Sequence, residues 1–366
     1  MKKAALFILT VLFFCRTLFI GTYALSAKAC ALICADTKEV IYSQNGDMRL
    51  AMASTTKIMT AFILCEQDNL DRKIEVKPED VAVEGTSMGL AAGDTVTLYD
   101  LLYGMMLPSG NDAAMTAARA IGGNVQNFVS MMNEKAERLG LKNTSFATPS
   151  GLDADTHYTT ALDLAVLTAE ALKNPDFAKA VSTKQKTLTI GGRTVTLTNH
   201  NRLVREYDDV TGVKTGFTKK AGRCLVSSAE REGKRVVFVT LNDGNDWADH
   251  RKMLDLGLSS VHTVDIRPSL NSISLSVSNG ETLNIPLDKE KYSLCCLNGK
   301  DYKCRVKAPS VLYAPVKAGD IIGTVEYSAD GHILDTVYLK SDRDIGTKKP
   351  SKWYLFTDTF KYILGS

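Results

Sequence analysis

Two blocks of contrasting periodicity constrain this chain more than any other feature. Between Ser54 and Ala171, apolar residues recur at three-to-four spacing. Ile58, Met59, Phe62, Ile63 and Leu64 do so first, then Leu98-Tyr99-Asp100-Leu101-Leu102-Tyr103, then the alanine-rich stretch Asn111 to Ile121. That spacing predicts helices. Thr160-Ala161-Leu162-Asp163 has the form of a capping box, with Asp in place of Glu, and opens a further helix through Ala171. From Thr187 to Thr198 and from Val210 to Leu241 the residues become β-branched and strand-like, and Trp247 to Leu258 is helical again. Earlier, Ala31 to Tyr42 reads as strand, turn and strand, and Asn45-Gly46-Asp47 is turn chemistry. Segregated helices and strands predict an α+β fold, a helical cluster against an antiparallel sheet.

After about Val264 the pattern changes. Ser272 to Val277 alternates polar and apolar residues with period two, as do stretches around Leu312, Ile322 and Val337, with glycine turns between them. This predicts a small all-β domain after the first, with the change at residues 261–268 near Pro268. A length of 366 residues accommodates two domains. The expected division is a leader over 1–29, a catalytic domain over 30–263, a β-domain over 264–348 and a tail over 349–366. The tail carries Trp353-Tyr354-Leu355-Phe356 with Phe360, Ile363 and Leu364 among scattered lysines. It suits either an amphipathic helix on a membrane surface or a segment packed back on the body.

The leader has the order of a secretory signal: Lys2 and Lys3, an apolar run from Ala4 to Phe14, then small residues around Ala24, Ser26, Ala27 and Ala29. An uncleaved anchor is the other reading. Cleavage is expected between Ser26 and Ala29, and Ala27-Lys28-Ala29 before Cys30 is a poor lipoprotein context. Either way the working domain lies outside the cytoplasm. The eight cysteines include no C-x-x-C pair and the five histidines show no metal-ligand spacing. Buried thiols are expected, with one bridge at most among Cys295, Cys296 and Cys304, and neither metal nor cofactor. A formal net charge of +3, without a basic stripe, argues against a nucleic-acid partner.

Three short motifs follow one another: Ser54-Thr55-Thr56-Lys57, Ser109-Gly110-Asn111 and Lys214-Thr215-Gly216. On a helix, residues three apart share a face, so Ser54 and Lys57 meet. A serine hydroxyl becomes a good nucleophile when a neighbour takes its proton, and a neutral lysine does so if burial or a second cation lowers its pKa. Lys214 is a candidate for that cation. Ser54 is the only serine here with a lysine three positions on. Ser109-Gly110-Asn111 lies between two helical runs, where Ser109 could relay a proton to a departing amine and the Asn111 amide could bind a carbonyl. Lys214 and Thr215 could hold a carboxylate, and Gly216 would let a substrate backbone approach an edge strand. Each motif alone is ordinary helix surface, turn or edge strand. All three in this order point to acyl transfer to Ser54.

The surrounding residues are similar to bacterial D-alanyl-D-alanine carboxypeptidases, the low-molecular-mass penicillin-binding proteins. The resemblance rests on Ala53 to Ala61, Leu107 to Ala114, Gly151-Leu152, His157-Tyr158-Thr159-Thr160-Ala161 with Asp163-Leu164-Ala165, and Lys214 to Thr218 with Ala221-Gly222. It spans roughly residues 30 to 260. Val316-Lys317-Ala318-Gly319-Asp320, Gly323 and Val337-Tyr338-Leu339 resemble that family's C-terminal β-domain more loosely. The resemblance implies a β-lactamase/transpeptidase-like catalytic fold. It implies that Ser54 attacks the carbonyl between two terminal D-alanines of a peptidoglycan stem peptide, with Lys57 as general base. The N–H groups of Ser54 and Phe217 would form the oxyanion hole, and β-lactam antibiotics would acylate the same serine. Two departures concern recognition. Family members often carry an arginine where this chain has Asp246-Trp247, with Arg251 displaced into the helix, and His200 stands where a basic residue is expected. His157 is read as fixing a loop.

Three rivals remain. A class A β-lactamase usually has Asp where this chain has Gly110, and needs a glutamate for deacylation that Asp163 to Glu170 does not offer as Glu-x-x-x-Asn. A catalytically idle wall-binding protein would be expected to lack Ser54 or Lys57. An endopeptidase acting on cross-links would share every motif.

Overall fold

The computed structural model describes residues 25–347 apart from 267, 279, 288–291, 298–301 and 330–331. The expected leader up to residue 24, Cys15 and the tail lie outside the described residues.

The first domain is built on a five-stranded antiparallel sheet whose strands come from two distant parts of the chain. Label these β1 (Ala29–Cys34), β2 (Val40–Gln44), β3 (Val210–Thr218), β4 (Gly222–Arg231) and β5 (Lys234–Leu241). Their order is β2-β1-β5-β4-β3, and Leu32 of β1 lies opposite Phe238 of β5. All six residues of β1 are buried. Ala29, Ala31 and Ile33 face the helical cluster, while Cys30, Leu32 and Cys34 face the helix Asp246–Ser260 on the other side. A strand covered on both faces reads as a continuous apolar run, which explains why Ala-Cys-Ala-Leu-Ile-Cys shows no alternation.

Residues ahead of the expected boundary at 30 belong to this domain. Leu25 and Ala27 are buried in the second cluster, and the Ser26 hydroxyl donates to Asp243.

The helices between the two strand groups form one lobe. Label these α1 (Lys57–Cys65), α2 (Leu98–Met106), α3 (Asn111–Gly122), α4 (Val125–Arg138), α5 (Ala161–Ala171) and α6 (Pro175–Ser182). Every residue of α1 is buried, as befits a helix that is apolar nearly all round and lies at the lobe's centre. Thr97 and Asp100 close a capping box at the start of α2. At the start of α5 the Thr160 hydroxyl accepts the Asp163 N–H at 3.1 Å. Helix α4, absent from the sequence reading, buries only Phe128, Met132 and Ala136. Val129 and Met131 pack beside them, so the buried stripe is narrow but regularly spaced.

The C-terminal region is all-β, as expected. Its core gathers Leu275, Leu283, Leu294, Val325, Tyr327 and Leu339 among others. Val261–Ile266 runs on directly from the helix ending at Ser260 and pairs with Tyr292–Leu297. The expected start at 264 therefore falls inside a strand that pairs with the β-region. The described residues contain no helix long and apolar enough to cross a membrane.

Candidate active site

The three motifs meet in one cleft of about 660 Å³ between the helical lobe and the free edge of β3. Ser54, Ser109, Asn111, Thr215, Gly216 and Phe217 line it. Lys57 and Lys214 do not; they are buried beneath its wall.

Ser54 sits on a 3-10 turn, Ala53–Thr56, that leads into α1. Ala53 has φ +48°, an uncommon conformation for a side-chain-bearing residue. Three contacts hold it. The Thr56 hydroxyl donates to the Ala53 carbonyl at 2.8 Å, and His157 Nε2 stands 2.7 Å from that hydroxyl. Since the Ala147 N–H donates to His157 Nδ1 at 3.0 Å, the ring's proton is on Nε2, and it points at Thr56. On the third side lies Gly151 (φ +92°), so near that a β-carbon would stand 2.0 Å from the Ala53 oxygen. His157 thus acts on the turn that carries the nucleophile rather than lining the cleft.

Lys57 Nζ lies 3.0 Å from Ser54 Oγ, 2.6 Å from Asn111 Oδ1 and 2.7 Å from the Ser150 carbonyl. The last two are acceptors only. A neutral amine has two N–H bonds and one lone pair, so satisfying both carbonyls leaves the lone pair for the Ser54 hydroxyl proton. Burial, and then the nearby Lys214 charge, hold the Lys57 pKa well below the usual lysine range, while Asp112 pulls it back up. The site therefore favours the neutral form that a base requires.

Asn111 is oriented by its other atom. Its Nδ2 donates to the Glu84 carbonyl at 2.7 Å, which commits Oδ1 to Lys57. Asn111 begins α3, yet its side chain makes no cap, and Ser109 adopts φ +68°. The Thr86 hydroxyl donates to the Ser109 carbonyl at 2.6 Å. Asp112 then ties down the segment covering this turn: its carboxylate accepts the N–H groups of Met88, Gly89 and Leu90 and the Ser87 hydroxyl. At Gly110 a β-carbon would lie 2.9 Å from the Met88 nitrogen, so the larger Asp of a class A β-lactamase does not fit this arrangement.

Lys214 lies in the middle of β3, its amine donating to the Thr215 carbonyl at 2.9 Å, and burial pushes its pKa down to about 7. β3 is the edge of the sheet, as expected, and its outer side is open to pairing. A β-carbon at Gly216 would stand 3.0 Å from the Ser54 nitrogen, so only a bare backbone passes this close to the nucleophile. Phe217, next along, is exposed.

Arg223 is the functional candidate that sequence reading missed. It lies opposite Phe217 in the β3–β4 register, lines the cleft, and holds Asp246 at 2.5 Å beside the Trp247 ring. Arg251, by contrast, is bound to Asp209 and Asp255 and does not line the cleft. The cation expected near Asp246-Trp247 thus comes from the neighbouring strand. The short link Lys219 to Gly222 after the third motif was the available signal, because it sets the register that places Arg223 across from Phe217. His200 does line the cleft, with its pKa lowered by burial and by Lys214, so it is a neutral group there. Glu170 is engaged by Lys38 and Lys173 and is not a lining residue. Among the described residues, no cluster of three or more His, Cys, Asp or Glu could hold a metal ion.

A family model described as D-alanyl-D-alanine carboxypeptidase matches residues 20–245, and one described as penicillin-binding protein 5, C-terminal domain, matches residues 272–347. D-alanyl-D-alanine carboxypeptidase DacF of Bacillus subtilis is 34% identical over 322 residues, covering 84% of this chain and 83% of that protein. DacC of Escherichia coli is 30% identical over 335 residues, 85% of this chain and 82% of its own. Among solved structures, D-alanyl-D-alanine carboxypeptidase DacD of Francisella tularensis superposes with a TM-score of 0.66 at 25% identity, covering 90% of this chain and 95% of that one. The Streptomyces K15 DD-transpeptidase gives a TM-score of 0.62 at 33% identity over 66% of this chain and all of that one.

Proposed function

Since the chain belongs to the D-alanyl-D-alanine carboxypeptidase family, a family of cell-wall hydrolases that act outside the cytoplasm, we propose a residue-level course for its reaction. The protein is a serine-type D-Ala-D-Ala carboxypeptidase and penicillin-binding enzyme whose substrate is peptidoglycan. Ser54 Oγ attacks the carbonyl between the two terminal D-alanines of a stem peptide as Lys57 takes its proton. The N–H groups of Ser54 and Phe217 hold the developing oxyanion. Thr215 holds the terminal carboxylate at the cleft wall, with the Lys214 charge behind it, and Gly216 lets the peptide backbone lie along β3. The proton returns through Ser109 to the departing D-alanine nitrogen, while Asn111 keeps Lys57 aimed. Water then cleaves the acyl-enzyme and restores Ser54.

The observation that carries this reading is the Lys57 amine, buried between two carbonyls with its third direction on Ser54 Oγ at 3.0 Å. The close passage of Gly216 by the Ser54 nitrogen supports the oxyanion assignment. Export by the segment ahead of Leu25 and contact of the 349–366 tail with a membrane surface complete the proposal.

The test compares protein beginning at Leu25 with its Ser54→Ala variant. Both are incubated with diacyl-Lys-D-Ala-D-Ala, free D-alanine is quantified, and penicillin adducts are sought by intact mass. Release and adduct should both vanish with Ser54. Release that survives in the variant overturns the assignment, and rapid penicillin turnover without release would make the protein a β-lactamase.

A further inference from the structure

Two cysteines meet far from the cleft, where the catalytic sheet abuts the C-terminal β-region. Cys34 ends β1 and Cys295 lies in the strand Tyr292–Leu297; both are fully buried, and their sulfurs are 3.5 Å apart. We propose that Cys34 and Cys295 are a redox pair that closes into a disulfide, joining the catalytic domain to the C-terminal β-domain.

The surrounding bonds fix both backbones before any bond forms. The Cys34 N–H donates to the Glu39 carbonyl at 2.9 Å, and Cys34 is registered opposite Val236 of β5. From the other side, the Cys295 N–H donates to Asp36 Oδ2 at 2.9 Å, and Cys295 Sγ accepts the Arg235 N–H at 3.2 Å. Asp36 and Arg235 are themselves paired at 2.9 Å. A disulfide needs its sulfurs at about 2.0 Å, a distance that side-chain rotation can supply when the main chains are already in contact.

Neighbouring thiols are worse candidates. Side chains alternate across a strand, so Cys296 faces away into the β-domain core, its sulfur directed at the His262 carbonyl. Burial pushes Cys30, Cys65 and Cys224 up to about 12, which keeps them protonated. Cys34 goes the other way, to about 7, because the Cys295 thiol hydrogen-bonds to it, while Cys295 is raised in turn. Cys34, whose S–H donates to the Cys295 carbonyl at 3.0 Å in the reduced form, is the sulfur that attacks first once that bond breaks.

The oxidant is a disulfide-bearing exchange partner. The Cys34 thiolate attacks one of its sulfurs and expels the other as a thiolate, and Cys295 then displaces the partner from the mixed disulfide. In sum, two protein thiols and one partner disulfide give one protein disulfide and two partner thiols. Because both sulfurs are shielded, exchange takes place as the β-domain docks or opens locally. Thiol oxidation of this kind belongs to compartments outside the cytoplasm, where this family works.

The test uses the described chain from Leu25 onward, including the whole β-domain, incubated with oxidised glutathione or with dithiothreitol. Mass spectrometry of a non-reducing digest should find the Cys34 and Cys295 peptides linked, with two hydrogens lost from the intact protein. The oxidised form should melt several degrees higher and resist proteolysis between the domains, while still acquiring a penicillin adduct. Cys34→Ser and Cys295→Ser should each abolish the link, and Cys296→Ser should keep it. Absence of the link under oxidant, a lasting glutathione adduct in its place, or a bond from Cys295 to Cys296 or Cys304 would overturn the proposal. The wild-type digest decides the matter even if a serine variant fails to fold.

Discussion

Gly151 lies against the carbonyl oxygen of Ala53 with room for nothing larger than hydrogen: a β-carbon there would be 2.0 Å from that oxygen. The residue before it, Ser150, gives its carbonyl to Lys57 at 2.7 Å. One short segment therefore sets both the nucleophile's turn and the base's second acceptor. Gly151→Ala should cost about 1–3 kcal/mol from its φ of +92° alone. The clash adds to this, and β-lactam acylation should slow more than the stability loss explains. Urea denaturation and acylation kinetics on the same protein check this, and wild-type values in both would refute the contact's importance.

The pH dependence of acylation should be bell-shaped. Lys57 acts as base only when neutral, and its lowered pKa favours that form, so the rate falls on acidification through that pKa. Lys214 holds a carboxylate only when charged, and with a pKa of about 7 it loses that charge as pH rises through this value. The alkaline limb of kcat/KM should thus belong to Lys214 in the free enzyme. Lys214→Arg, whose guanidinium stays charged, should remove that limb and leave the acid one. An alkaline limb unchanged in the arginine variant would assign it elsewhere.

Asn111 offers a sharper test of the base. Asn111→Asp places a carboxylate where Oδ1 now lies 2.6 Å from Lys57 Nζ, favouring the ammonium. The acid limb should move to higher pH, with the plateau restored once Lys57 is deprotonated. Asn111→Ala should instead lower acylation by about 100-fold or more without moving the limb as far, since general-base effects are worth about 10²–10⁴. Equal displacement in both variants would count against charge as the cause.

Acid should weaken the nucleophile's turn through His157. Burial lowers its pKa from 6.5 to about 4, so the unfolded chain takes up this proton first. The contribution is fully present above pH 6.5 and is lost as pH falls through about 4, amounting to about 3 kcal/mol at about 1.4 kcal/mol per unit. His157→Gln can keep both hydrogen bonds without a titrating group. Its stability deficit relative to wild type at pH 7 should shrink or reverse near pH 4. Buried His250 shifts in the same direction and remains in both proteins, so it cancels in the comparison.

What the sequence made legible is what short spacing decides. Ser54 and Lys57, three apart, meet at 3.0 Å, and the Ser109–Asn111 loop does enter the cleft. Arg223 was missed because its place depends on the register of β3 against β4, for which the short link after the third motif is the one local signal, and Asp112 because its partners lie more than twenty residues back. Helix α4 was missed although Phe128, Met132 and Ala136 recur every four residues, a spacing its sequence does carry. Leu25 and Ala27 were assigned to a leader on local composition, yet their packing is decided by β5 and the helix Asp246–Ser260.

The strand order has a consequence in time. β1 is flanked on one side by β2, its immediate successor, and on the other by β5, which ends at Leu241. Nucleophile and base are therefore synthesised long before the strand that joins β1 to the rest of the sheet, and pairing across so long a loop is slow to nucleate. A chain stopped between Lys57 and Leu241 carries Ser54 and Lys57 but neither a completed sheet nor a finished cleft beside them. Covalent labelling by penicillin thus counts completed molecules, and hydrolytic power arrives all at once, at the end of folding, rather than growing with the chain.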